Sequence, residues 1–593
     1  MSALPASPVS RKPWTSKDWA HPARLVLGVV FLLLMILTKP VAIGGDTYWF
    51  VLDIKATLGR RWTDSSRLWD FAHVLWRPLG KMVSQLFLPV VSPHFDGDPQ
   101  RSITFLLVCL SVISALVCCF VVHAAVWRMT GKPWVATLVA CAFLCLNPIL
   151  NYSRTGTPYL CGLACSTGAF YLAAFCSKAS SRQAVFSGVL AGLAVLFWVP
   201  NLVSLPAVLL ARPILDIFGE KPRINLRFAM VIGLVAGITV AAFYLTAIAA
   251  AHISSWSGFL AWIHSSAQYS RDRNLLRMAT GMARGFYQLG NDAVWFKWFV
   301  FRDPYANVGL ADLMRAVLVK LVLFYVSLAS LAVVLWTSNT GRRLLLFIAL
   351  AALPHIGMAM VFESGDPGRY VGTLPAVCLG FGYAIGSAEF SGRMRILVAA
   401  LFCAHVPLNL LPADANQATL ENANRIAAFA ALQPVSRVYL LNFQDGLQAL
   451  RYAAPFDPVN RRPTAEIVLI APAITARAPF WRADFACSAL AAWSNRGEVW
   501  VTKRVLSDRP VRSWWWVEGD HPPLTWEGMH RFFQGLDRGA DAGGEDGFFL
   551  IPDAAGNRRI LLAGIPGGDP KNCPAPATVS LQAPDAPVKG QGN

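Results

Sequence analysis

Apolar runs long enough to cross a bilayer recur along the first 412 residues, and the charge is left to the segments between them. A transmembrane helix needs about 20 mostly apolar residues to cross ~30 Å of hydrocarbon. Candidate spans lie at 25–43, 103–127, 134–150, 158–176, 228–251, 316–337, 344–362, 371–388 and 396–411. Segment 185–211 is interrupted by Trp198-Val199-Pro200-Asn201 and reads as two short helices turning at the proline. The expected fold is therefore an α-helical polytopic membrane protein of eleven spans.

Charge placement orients it. The chain has a formal net charge of +18, yet only 15% of its 593 residues are charged, well below the share in soluble domains. From Ala413 onward Lys+Arg equals Asp+Glu, so the whole excess lies upstream, between the apolar runs. A nucleic-acid binder would gather that charge on a soluble surface. Here it marks cytoplasmic loops: Arg128/Lys132, Lys178/Arg182, the 212–227 loop, Arg342/Arg343 and Arg393/Arg395. The expected topology places residues 1–24 in the cytoplasm and a transmembrane domain at 25–412. Its long outward loops are 44–102 and 252–315, and an extracytoplasmic domain follows at 413–573. Residues 574–593 read as a disordered tail. The first span follows Arg11, Lys12, Lys17 and Arg24 without a small-residue cleavage site, so it reads as a retained helix in a bacterial-type inner membrane.

The soluble domain alternates strand-like runs (435–443, 466–471, 498–505) with helical ones (420–432, 483–494), which suggests a small α/β fold. Its two cysteines, Cys487 and Cys573, can pair in an oxidising compartment or stay as buried thiols. The sequence has no nucleotide-binding glycine loop, no metal-ligand spacing and no nucleophile elbow.

The residues that could carry chemistry lie in the outward pieces. Asp46, in Gly44-Gly45-Asp46-Thr47, stands where the first span ends and suits a base at the lipid–water boundary; a solvated residue after a helix cap is the plainer reading. Trp62, Trp69 and Trp76 recur every seven residues, as on one face of an interfacial helix running up to Pro78. On that segment His73 and Arg77 are four apart and could hold an anionic phosphate, or Arg77 could simply reach toward lipid head groups. Arg369 and Tyr370 follow Glu363 and Asp366 in a short outward loop. They suit a phosphate with a hydrocarbon tail, while a structural ion pair with either carboxylate is the alternative. Arg154 is the other basic residue in a short outward loop, and Asp53 and Asp70 are further carboxylates. Arg271, Arg273, Arg277 and Arg284 beside aromatic clusters read as contacts with anionic membrane lipid.

Taken together, these features resemble the GT-C superfamily of integral-membrane glycosyltransferases, which includes protein mannosyltransferases and bacterial lipid-A and arabinan-modifying enzymes. The resemblance rests on Asp46 after the first span, the interfacial helix that follows, and Arg369-Tyr370…Pro375. It also rests on Ser187-Gly-Val-Leu-Ala-Gly…Phe197…Pro200…Pro206 and on the soluble C-terminal domain. Many members carry an acidic pair after the first span, whereas here Asp46 is followed by Thr47. The resemblance implies inverting transfer of a sugar from a polyprenyl-phosphate donor to an envelope glycan, lipid or protein acceptor on the outer face. Asp46 would be the base; Arg369, Tyr370, Arg154, His73 and Arg77 would serve the donor phosphate. Asp53, Asp70, Glu363 and Asp366 would be secondary carboxylates, with no cofactor, no metal ligands and no nucleic-acid partner. A transporter or flippase of an anionic or lipid-linked substrate would use similar basic mouths without a base, and a non-catalytic envelope scaffold would need neither.

Overall fold

The computed structural model describes residues 22–37, 45–63, 68–95, 97–175, 180–215, 222–266, 275–287, 310–314, 318–362, 364, 367–415, 429, 436–440, 465–469, 480–508, 525–542 and 547–573. The chain divides into two compact units, Met1–Val300 with Gly309–Gln417, and Ala418–Asn593 with Phe301–Val308.

Each apolar segment picked out above contains α-helix among its described residues. In chain order these are α1 (Pro22–Leu37), α2 (Gly45–Thr57), α3 (Trp76–Val91), α4 (Pro99–Thr130), α5 (Pro133–Leu144), α6 (Asn147–Tyr152), α7 (Tyr159–Phe175), α8 (Ser181–Phe197), α9 (Leu205–Leu215), α10 (Pro222–Ala250), α11 (Trp256–Ser266), α12 (Leu275–Tyr287), α13 (Val319–Trp336), α14 (Asn339–Val361), α15 (Leu374–Gly386) and α16 (Gly392–Ala415). Five described helices are long and apolar enough to cross a membrane: α4, α13, α14, and the stretches Ile224–Ala250 and Gly392–Leu410. The others are shorter.

Local chemistry sets the helix ends. Asp98 caps α4 by accepting from the amides of Gln100 (2.8 Å) and Arg101 (3.3 Å), Pro99 fills the first turn, and the helix stops at Gly131 in the left-handed region. Ser180 and Ser338 cap α8 and α14 in the same manner.

The break at Pro200 reverses the chain. Ser187 on α8 bonds the Ala169 carbonyl of α7 at 2.9 Å, while farther along α8 the Ala194 carbonyl faces Gly162 near the start of α7. The chain then passes through a 3-10 turn, Val199–Ser204, where Asn201 donates to Ala194 O at 2.9 Å. It returns along α9 until Arg212 Nη1 meets Ala173 O at 3.4 Å. Thus α8 and α9 run in opposite directions, and Arg212 reaches the end of the bundle where α7 finishes and α8 begins. Phe170 of α7 stacks on Phe347 of α14 at 4.8 Å, and a Cβ on Gly386 of α15 would meet Thr130 of α4. The basic short segments therefore share one end of the bundle.

Small residues let the helices approach. A Cβ on Gly188 would lie 2.7 Å from Val235, and one on Gly192 would lie 2.8 Å from Thr239, so this four-residue stripe of α8 packs directly on the backbone of α10. The opposite face of α10 exposes Leu226, Met230, Leu234, Ile238 and Leu245, as expected of a helix surface turned to lipid.

The second unit contains a five-stranded sheet ordered β2-β1-β3-β5-β4. Parallel strands β1 (Ser436–Leu440), β2 (Ala465–Leu469) and β3 (Val499–Thr502) match the strand-like runs of the sequence. Antiparallel β5 (Phe548–Ile551) and β4 (Asp541–Ala542) complete it. Helices α17 (Trp481–Ser494), α18 (Trp526–Gln534) and α19 (Ala555–Ala563) contribute Trp481, Phe485, Met529, Phe533 and Leu561 to a core that includes Val499 and Val501. Cys487 and Cys573 form a disulfide, closing a loop with a sequence separation of 86. The helix expected at 420–432 and the tail at 574–593 lie outside the described residues, apart from Phe429.

Candidate functional site

At the end of the bundle away from the basic segments, three elements bring four ionisable side chains together. Asp70 accepts from the Ala72 amide at 3.0 Å through Oδ1 and so caps a 3-10 turn, Phe71–His73. Its Oδ2 lies 3.3 Å from His73 Nδ1 and 3.2 Å from Arg77 Nη2. The same Nη2 lies 3.3 Å from Asp53 Oδ2 on α2. All four side chains are 13–16% exposed, so the cluster is largely withdrawn from water. Arg77 is held between two carboxylates from different elements, so its charge is engaged within the protein.

The seven-residue tryptophan spacing does not mark one helix. Asp70 is extended and caps a separate 3-10 turn, α3 begins only at Trp76, and Pro78 sits in its first turn rather than ending a helix. The three indoles consequently serve different neighbours. Trp76 Nε1 donates to Gly156 O at 3.0 Å, and Trp69 Nε1 donates to Trp62 O at 3.2 Å. Trp62 lies under the Lys81 ammonium at 4.8 Å. The turn is fixed from outside as well: Leu75 N bonds Leu196 O, Tyr244 OH bonds Phe71 O, and Trp262 Nε1 bonds Trp69 O at 2.7 Å.

Aromatic rings join this cluster to Arg369. Phe50 of α2 meets the His73 ring edge-on at 5.4 Å and lies 5.3 Å from the Arg77 guanidinium. Tyr159 at the start of α7 is 6.4 Å from His73 and 4.8 Å from Trp198, and Trp198 lies 5.7 Å from the Arg369 guanidinium. Arg369 belongs to a 3-10 turn, Pro367–Thr373, whose position is set by His355 of α14. His355 Nδ1 donates to Arg369 O at 3.3 Å while Nε2 accepts from Ser204 Oγ at 2.7 Å, which satisfies one neutral tautomer at both nitrogens.

The remaining candidates have other placements. Tyr370 is fully buried and its hydroxyl donates to Ser364 O at 2.7 Å, closing the loop before it. Arg154 donates to Leu34 O at 2.9 Å and lies 3.0 Å from Met35 Sδ, so it grips the last turn of α1. Two residues on, the Gly156 amide donates to Thr47 Oγ1 at 3.0 Å. Asp46 occupies the first turn of α2, and positions 46, 50 and 53 share a helix face by their spacing; its side chain lies outside the described residues, as do Glu363 and Asp366. Sequence reasoning gave Phe50, Tyr159, Trp198 and His355 no functional role. Tyr159 after Pro158 and Trp198 before Pro200 are aromatic residues at the mouths of apolar segments, and that shared signal could have drawn them out. No group of His, Cys, Asp and Glu suited to a metal occurs among the described residues.

No protein-family model and no curated protein matches the chain. Among solved structures it is similar to ArnT from Cupriavidus metallidurans in the apo state, with 12% identity and a TM-score of 0.47, covering 78% of this chain and 95% of that one. ArnT bound to undecaprenyl phosphate gives 11% identity and 0.46 at the same coverage. The Archaeoglobus fulgidus oligosaccharyltransferase in the apo form gives 13% identity and 0.45, covering 92% of this chain and 76% of that one.

Proposed function

We propose that the protein is a membrane glycosyltransferase that moves a sugar from a polyprenyl-phosphate donor to an envelope acceptor on the outer face, with inversion. The observation that carries this reading is the ring chain His73–Tyr159–Trp198, which runs from a carboxylate–histidine cluster, flanked by Phe50, to Arg369. Sugar transfer from a lipid phosphate needs those parts. As the bond from the anomeric carbon to the phosphate oxygen breaks, negative charge gathers on the phosphate, and a planar guanidinium such as Arg369 stabilises it through two oxygens. The acceptor hydroxyl must lose its proton as its oxygen attacks from the opposite face of the sugar, and Asp46 is the proposed base. Its spacing supports this reading: position 46 lies one helical turn before Phe50 and shares a helix face with position 53. Aromatic walls limit access of water, which would otherwise compete as the acceptor. The disulfide in the second unit supports an extracytoplasmic location for that domain.

The test supplies purified protein with a labelled polyprenyl-phosphate sugar and an acceptor extract. Release of polyprenyl phosphate together with label on the acceptor is the expected result. Passage of the intact lipid-linked sugar across a vesicle membrane, with no new glycosidic bond, would replace transfer by transport.

A further inference from the structure

We propose that the proton removed from the acceptor comes to rest on His73 Nε2, with Asp70 acting as the residue that positions the imidazole. This inference rests on the glycosyl-transfer reading and says where its proton goes.

The first observation is an orphaned atom. His73 Nε2 is buried and has no hydrogen-bond partner among the described residues. Buried polar atoms are normally paired, because leaving one unmade costs stability. A histidine kept only to brace the turn would spend both nitrogens, as His355 does on Arg369 O and Ser204.

The second observation fixes the tautomer. Asp70 Oδ2 can only accept from His73 Nδ1 at 3.3 Å, so the ring proton resides on Nδ1 and the Nε2 lone pair is left as the basic site. A carboxylate behind an imidazole serves this role in acid–base dyads generally, holding the ring and balancing the imidazolium that forms.

The third is the charge balance of the cluster. Asp53 and Asp70 contribute two negative charges and Arg77 one positive. Carboxylates beside the ring outnumber the guanidinium, so an imidazolium formed there meets negative charge. Asp70 lies beside the ring on its own segment, the Phe50 ring of α2 and the Tyr159 ring of α7 pack against it, and Arg77 joins Asp70 to Asp53.

The step then balances. The acceptor O–H bond breaks, its oxygen bonds the anomeric carbon, and the electron pair of the carbon–phosphate-oxygen bond leaves with the polyprenyl phosphate. The proton ends on His73 Nε2, whose lone pair is open to receive it, and is lost to water before the next cycle.

The experiment uses full-length protein in detergent and reads polyprenyl-phosphate release for wild type, His73→Gln and His73→Ala. We expect kcat to fall about 100-fold in both variants with the donor KM unchanged. Added imidazoles should restore His73→Ala in order of their basicity, a response that a bracing role would not give. A His73→Gln enzyme within about threefold of wild type overturns the inference and leaves the transferase reading intact. A loss that no imidazole restores, in a variant that still binds donor, overturns it as well. Wild-type protein that never releases polyprenyl phosphate overturns both.

Discussion

The Arg369 guanidinium lies 5.7 Å from the centre of the Trp198 ring, which ties the turn before α15 to the point where α8 ends and the chain reverses. A cation held over an aromatic face keeps its planar fork oriented. We predict that Arg369→Ala weakens donor binding about tenfold or more, the range expected for charge-assisted hydrogen bonds, while Arg369→Lys retains part of the affinity as a point charge. Equal donor affinity in wild type and Arg369→Ala, measured by titration with polyprenyl phosphate, would remove this residue from the donor site.

Asp46→Asn keeps the size of the side chain and removes its basicity. On the proposed mechanism turnover drops by ~10²–10⁴ while donor binding persists. A helix-end role would cost about 1 kcal/mol of stability and leave transfer unchanged. Single-turnover transfer at the wild-type rate in a well-expressed Asp46→Asn protein is the outcome that defeats the assignment.

Arg77 separates two carboxylates, so its loss has a structural signature. Arg77→Met should leave Asp53 and Asp70 facing one another without a counter-charge and lower stability by roughly 2 kcal/mol, less than a fully buried pair because the groups keep some solvent. Combining it with Asp53→Asn should recover part of that loss. Thermal unfolding of the single and double variants checks the sign of the coupling; strict additivity would contradict the bridge.

Closing a loop of this length restricts the unfolded chain, and the chain-entropy model assigns about 4–5 kcal/mol to it. Cys573→Ser should therefore sensitise the second unit to proteolysis at temperatures where the wild type resists. Equal digestion rates with and without the disulfide would show that the described core suffices alone.

Reporter fusions test the orientation. A fusion after Arg227 should read as cytoplasmic and one after Ala413 as exterior, because the reversal at Pro200 returns the basic 212–227 segment to the side of Arg128 and Arg342. Opposite signals at both positions would invert the bundle and move the Asp70–His73 cluster to the cytoplasm.

How much was readable varied with the range of the interactions involved. Helices follow from local hydropathy, so the apolar runs and the Pro200 break were visible, as were β1, β2 and β3 with their apolar, β-rich runs. The seven-residue tryptophan pattern misled because a side-chain cap at Asp70 outweighs periodicity, and caps act on one residue at a time. The cluster itself was visible only in part: His73 and Arg77 are neighbours in sequence, whereas the Asp53–Arg77 contact depends on how α2 and α3 fold against α4. Tyr159 and Trp198 carry no charge, and beyond their place beside prolines at the mouths of apolar segments the sequence does not pair them; their meeting at 4.8 Å does. The two-residue β4 is shorter than any pattern of alternation can register.

Arg154 and Gly156 lead somewhere else again. One holds the last turn of α1 through Leu34 O, and the other holds the start of α2 through Thr47. The stretch between Met35 and Thr47 is thus moored at both banks to a single three-residue turn, and Asp46 stands beside the second mooring. A residue inserted or deleted there would have to be absorbed between two fixed points, or one of them would have to let go. One short turn thus fixes where α2 begins relative to the end of α1, and with it the backbone position of the proposed base.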